Sequence, residues 1–121
     1  MSVNKAIILG HVGNDPEIKT FDNGNKVANF SIATSDSWKD KNGEKQEATE
    51  WHNIAVFGKL ADIVESYVKK GQQLYIEGKI KTRSWDDSDG NKKYMTEIVL
   101  NGFGDKLDMV GKKEESNDNP F

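Results

Sequence analysis

The sequence predicts an all-β fold, a small barrel of five strands with one helix between the third and the fourth. Three observations carry this. Apolar and polar residues alternate over several short runs, which is the two-residue period of a half-buried strand. Turn chemistry punctuates those runs, with Asn23-Gly24, Asn42-Gly43 and Asp89-Gly90. A single segment, Leu60 to Val68, repeats its apolar residues at helical spacing.

Taken in order, Val3 to Leu9 is rich in branched aliphatics, and Gly10, Gly13, Asn14, Asp15 and Pro16 interrupt it, so the first strand ends in a bulge or bend. Ile18 to Phe21 resumes briefly before the tight turn Asp22-Asn23-Gly24-Asn25. From Lys26 to Thr34, Ala28, Phe30 and Ile32 share one face while Asn29 and Ser31 lie on the other. Ser35 to Thr49 is polar apart from Trp38 and reads as a long exposed hairpin loop. Glu50 to Phe57 alternates again, setting Ile54 and Val56 against Trp51, Asn53, Ala55 and Phe57. Leu60, Ile63, Val64, Tyr67 and Val68 mark the helix, where Lys69-Lys70 suit the negative end of its dipole and Gly71 suits its C-cap. The fourth strand sets Leu74, Ile76 and Ile80 against Tyr75, Glu77, Lys79, Lys81, Arg83 and Trp85, and turns at Asp86 to Asn91. Tyr94 to Leu100 is the fifth, and Phe103 to Val110 leaves room for a short extra strand.

Three strands, a helix and two strands in a chain of domain size match the OB-fold, a five-stranded Greek-key barrel; other small mixed α and β sheets share the pattern. The expected organisation is one such domain over 1–111 and a short flexible acidic tail over 112–121, where apolar periodicity stops.

Composition removes several function classes. No stretch approaches the ~20 apolar residues of a membrane helix, and the apolar run at the start is too short for a secretory signal, which makes cytoplasmic residence the expectation. Without cysteine there is no disulfide framework, thiolate metal site or cysteine nucleophile, and two histidines, His11 and His52, make no metal cluster. No phosphate loop, dinucleotide fingerprint, nucleophile elbow or zinc-helix motif is present, so the chain reads as a protein that is not an enzyme and needs no metal or cofactor. Asp86, Asp87 and Asp89 are spaced slightly like a calcium loop, but Gly90 follows at once and no bidentate Glu lies at the needed distance; they read as a solvated turn. His52, alone on an alternating strand, reads as a packing or interface residue.

The informative residues are rings on the wrong side of their strands. Trp51 and Phe57 oppose Ile54 and Val56, and Trp85 projects with Lys79, Lys81 and Arg83 away from Leu74 and Ile76. Aromatics outside a barrel call for a ligand, a subunit contact or cover by loops. Rings interleaved with cations fit single-stranded nucleic acid, whose bases stack on flat apolar surfaces while its phosphates require positive charge. An oligosaccharide would use the rings without needing the cations. Trp38, among Lys39, Lys41 and Lys45, suggests a third tryptophan on the same path. The formal charge of −3, from 17 basic and 20 acidic residues, requires such a site to be basic only locally.

These residues carry a resemblance. The chain is similar to the bacterial-type single-stranded DNA-binding protein family, which includes phage and plasmid relatives, from Val3 to about Gly111. The segments that carry it are 3 to 10 (Val-Asn-Lys-Ala-Ile-Ile-Leu-Gly), Gly13-Asn14-Asp15-Pro16-Glu17, Val27-Ala28-Asn29-Phe30 and Ala33-Thr34-Ser35-Asp36-Ser37-Trp38. They continue with Thr49-Glu50-Trp51-His52-Asn53, Val56-Phe57-Gly58-Lys59-Leu60-Ala61, and Lys70-Gly71 leading into Tyr75 to Trp85. The resemblance implies an OB barrel, usually a homotetramer, that wraps single-stranded DNA in replication, recombination and repair without a catalytic step, in the cytoplasm at the nucleoid. It implies base stacking at Trp38, Trp51, Phe57 and Trp85, phosphate contacts at Lys79, Lys81 and Arg83, and a place for His52 near the subunit contacts. Pro120-Phe121, with Asp118 before them, fits the family's partner-recruiting tip, although this tail is shorter than is common and Ser116, Asn117 and Asn119 dilute its acids. An RNA-binding OB module, a carbohydrate-binding barrel and a scaffold whose rings are subunit contacts are the alternatives.

Overall fold

Seven strands and one helix follow each other as β1 (Ala6–Val12), β2 (Glu17–Thr20), β3 (Lys26–Lys39), β4 (Lys45–Phe57), α1 (Lys59–Tyr67), β5 (Gln73–Asp86), β6 (Lys92–Leu100) and β7 (Lys106–Val110). The computed structural model describes residues 1–102 and 104–110, so the expectations for Asp118, Pro120 and Phe121, and the tail boundary itself, lie outside the described residues. The strands run in the order β1-β3-β4-β6-β5, and β1 also pairs with β5, which closes the ring. This is the expected OB barrel of five strands with its helix between the third and fourth. β2 adds an arm on β3, and β7 adds the extra strand along β5. Every ladder is antiparallel except β4 with β6.

Alternation fills the barrel. Ile32, Ile54, Val56, Leu74, Ile76 and Leu100 are fully buried, each at an inward position of its strand, and Ala61 and Val64 bring the helix onto the same core. Truncating one of the buried Ile or Leu side chains to alanine costs about 2–5 kcal/mol, since the close-packed interior collapses only partly around the void. Lys26 fastens β3 to α1 by reaching Asp62 at 3.0 Å and Glu65 at 2.5 Å, and the hydrogen bond to Glu65 is the main reason its ammonium sits above the usual lysine range.

Four expectations are corrected in detail. β1 does not stop at Gly10 but runs through it to Val12, passing from its ladder with β5 to a short one with β3. A Cβ on Gly10 would lie 2.2 Å from the Ala33 carbonyl oxygen, so the missing side chain is what lets the two backbones meet where the barrel closes. The segment from Ser35 to Thr49 is a two-stranded ribbon rather than a loop, since β3 and β4 stay in register out to Lys39 opposite Lys45 and only residues 40–44 turn. Its polar composition reflects two solvated faces, not missing ladder bonds. The helix caps at Val68, whose N–H donates to the Val64 carbonyl, and Gly71 lies in the following turn, where its N–H donates to the Val12 carbonyl. Ile80, expected in the core, is 49% exposed because β5 leaves the barrel near Gly78 and continues with β6 as a second ribbon.

Candidate nucleic-acid interface

Register across four strands decides which side chains share a surface. Ile54 opposes Ile98 and Lys79 opposes Val99, so Trp51, Asn53, Ala55 and Phe57 of β4, Met95, Glu97 and Val99 of β6, and Lys79, Lys81, Arg83 and Trp85 of β5 all project to the outside of one continuous sheet. β3 extends it with Asn29, Ser31 and Ala33. Trp51 (59% exposed), Phe57 (36%) and Trp85 (43%) present open ring surface there. Six residues of extended strand separate Trp51 from Phe57, about 20 Å. Between them lies a polar groove of about 220 Å³ that includes Asn29, Ser31, Asn53, Met95 and Glu97.

The three cations are not equivalent. Lys81 makes no ion pair among the described residues. Lys79 reaches the largely buried Asp105 only at 4.0 Å. Arg83 is committed: its Nε donates to Glu97 Oε1 at 3.1 Å, and its guanidinium carbon lies 5.3 Å from the centre of the Trp85 ring. Arg83 therefore braces Trp85 as well as adding charge. The pair with Glu97 was not anticipated from the sequence; its signal is the outward parity of Glu97 on β6, directly opposite Lys81 and diagonal to Arg83.

Trp38 stands apart. It pairs with Gln46 on β4, while Trp51 pairs with Ala33, and this places the two indoles on opposite faces of the β3–β4 ribbon. A chain that touched both would have to cross the ribbon edge. Trp38 is half-exposed, as a ring available for such a crossing must be.

His52 points to the other side of β4 from Trp51. Its Nε2 lies 2.9 Å from Thr34 Oγ1, and it borders an apolar groove of about 470 Å³ with Ala6, Ile8, Ile80 and Ile98. Around the barrel, β1, β5 and β7 expose a different outer surface. Ile7 and Leu9 are more than half exposed there, opposite Glu77 and Tyr75. The Tyr75 hydroxyl donates to Glu77 at 2.5 Å, which pushes its own ionisation up; that bond, followed by Lys5 at 3.1 Å, holds the Glu77 carboxyl below the usual range.

A barrel of this topology with rings and cations along one outer sheet invites comparison with known proteins. The model of the single-strand binding protein family matches residues 3–109. The chain belongs to that family. A single-stranded DNA-binding protein of Rhizobium meliloti (strain 1021) is 53% identical over 111 residues, which are 90% of this chain and 64% of that relative. The chain thus spans just under two thirds of the curated relative it matches. The solved structure of a Plasmodium falciparum SSB in complex with ssDNA superposes with a TM-score of 0.83 at 37% identity, covering 92% of this chain and 97% of that one. The outer sheet running from β3 through β4 and β6 to β5 is where exposed rings and cations lie together. Among the described residues, no helix is long and apolar enough to cross a membrane.

Proposed function

We propose that this protein binds single-stranded DNA without reading its sequence. The observation that carries this is the sharing of one face by Trp51, Phe57, Trp85, Lys79, Lys81 and Arg83, rings for bases and cations for phosphates. The names of its relatives support the same substrate. Bases stack on Trp51, Phe57 and Trp85, Lys81 and Lys79 meet phosphates, and the strand crosses the ribbon edge to Trp38. No bond is made or broken. Occupancy protects DNA exposed during replication, recombination and repair, in the cytoplasm at the nucleoid.

Assembly is part of the proposal. Exposed Ile7 and Leu9, and the apolar groove beside His52, supply self-complementary surface for a homotetramer, and four barrels multiply the few stacking sites of one. The segment holding Asp118, Pro120 and Phe121 recruits replication, recombination and repair proteins, the Phe121 ring and the Asp118 carboxylate being capturable by a pocket that pairs an apolar hole with a cation.

The test is competition for a labelled oligo-dT in rising salt. Unlabelled single strands of any base composition should compete, while equal-length duplex, an RNA homopolymer and a neutral oligosaccharide compete far less. Duplex competing as well as single strand would contradict the stacking mechanism, and a better RNA competitor would reassign the substrate.

A further inference from the structure

The indole of Trp51 occupies the volume where Gly13 would carry a side chain. A Cβ on Gly13 would lie 2.3 Å from Trp51 Cζ3, 3.1 Å from Cη2 and 3.0 Å from Ser31 Oγ. Atoms cannot approach to 2.3 Å without bonding, so ring and methyl cannot coexist as placed. Gly13 does not adopt a left-handed backbone, unlike Gly24 or Gly43, and nothing in its conformation demands glycine. What demands it is the ring.

The backbone under the ring is held from two sides. Gly13 N–H donates to the Ser31 carbonyl at 2.8 Å, and Asn14 Oδ1 accepts from both the N–H (3.0 Å) and the Oγ (2.8 Å) of Ser31, fixing the segment to β3. On the far side Asp15 Oδ1 accepts from the Lys70 N–H at 2.9 Å, tying the same segment to the turn before β5. The indole is more than half exposed, so displacement into solvent is the open route when a methyl group appears beneath it. Gly10 makes the contrast: its absent Cβ would strike a backbone carbonyl, which cannot swing aside.

We infer that Gly13 is a positioning residue for DNA binding: the Asn14- and Asp15-anchored backbone at Gly13 is the seat that sets the Trp51 indole at its stacking height. Moving the ring outward by about 1 Å exceeds the roughly 0.5 Å tolerance within which a binding constellation works. The inference rests on the proposal that Trp51 stacks on a base.

The experiment is a double-mutant cycle of Gly13→Ala and Trp51→Ala, reading oligo-dT affinity, tryptophan emission and melting temperature on the full chain. Trp51→Ala should weaken binding about 5- to 150-fold, the loss of one stacked base. Gly13→Ala should weaken it about 3- to 10-fold, a part of that stacking, and red-shift the emission as the indole lifts into water. In the Trp51→Ala background the Gly13 substitution should leave affinity unchanged, because the ring is gone and only Ser31 Oγ, 3.0 Å from the added methyl, has to give way. Wild-type affinity in Gly13→Ala beside a weak Trp51→Ala would overturn the seat alone. A Gly13→Ala loss of affinity that persists in the Trp51→Ala background would overturn it too, by showing that the methyl acts through the fold. Wild-type affinity in Trp51→Ala would instead overturn the stacking role, and the seat's role in binding with it.

Discussion

β5 belongs to two surfaces at once, and its two halves differ in chemistry though both project outward by the same alternation. From Gln73 to Glu77 the strand lies between β1 and β7, and its outward Tyr75 and Glu77 sit beside Ile7, Leu9 and Lys106. From Lys79 to Trp85 it lies against β6 alone and presents Lys79, Lys81, Arg83 and Trp85. Both surfaces expose apolar groups that a monomer in water would rather cover. The first offers branched aliphatics beside Tyr75, Glu77 and Lys5, which are joined to one another within the sheet, and this suits another protein surface. The second offers flat rings beside an unpaired cation, which suits a polyanion with stackable bases. Exposed hydrophobicity alone does not separate the two roles; the type of side chain does.

The strongest break of this division is an attack on the aliphatic half. Ile7→Asp with Leu9→Asp forfeits up to about 3 kcal/mol of burial per side chain in each copy, so sedimentation should show smaller species at micromolar concentration. Each isolated barrel should still bind a short oligonucleotide. An unchanged oligomer would place assembly elsewhere. On the aromatic half, Trp85→Ala should cost about 1–3 kcal/mol of oligo-dT affinity with little change in melting temperature. A large loss of stability with proportionate loss of affinity would mean that the ring is structural. The cations sharpen the comparison further: Lys81→Gln should lower the slope of log affinity against log salt by about 0.7, one phosphate contact on a single strand. Arg83→Gln should lower it less, because Glu97 already neutralises that guanidinium.

The smallest effect concerns pH. Glu77 is held below its ordinary value of 4.5, so the stability it contributes is present above that value and is lost as the pH falls through its lowered folded value. Melting temperatures of the wild type and Glu77→Gln should therefore differ at pH 6 and converge in acid below pH 4.5. A gap that stayed constant would show that the Tyr75 and Lys5 contacts do not stabilise the charged form.

Much of this was legible in the chain because strand parity is a strict two-residue code. The outward placement of Trp51, Phe57 and Trp85 followed from inward Ile54, Val56, Leu74 and Ile76, and the register confirms it. Parity also sets Trp38 on the ribbon face opposite Trp51 once Ser35 to Thr49 is taken as strand. Hydrophobicity does not mark that segment as strand, because both ribbon faces are solvated and the alternation that signals a half-buried strand is absent. Ile80 misled for the reverse reason: its parity is that of the core, but the strand has already left the barrel. Long-range contacts are another matter. The tether of Arg83 to Glu97 and the contact of Gly13 with Trp51 join residues 14 and 38 positions apart, and only the closed barrel brings them together.

Direct contact between rings and bases is tested most simply by intrinsic tryptophan fluorescence titrated with oligo-dT. Stacking sets a base against an indole, so emission should be quenched strongly and saturably by the single strand and much less by duplex of equal length. Trp51→Ala and Trp85→Ala should each remove part of the quenching. Emission that stayed unchanged at saturating oligonucleotide would contradict the account, since DNA would then be held by charge alone while the rings served some other contact.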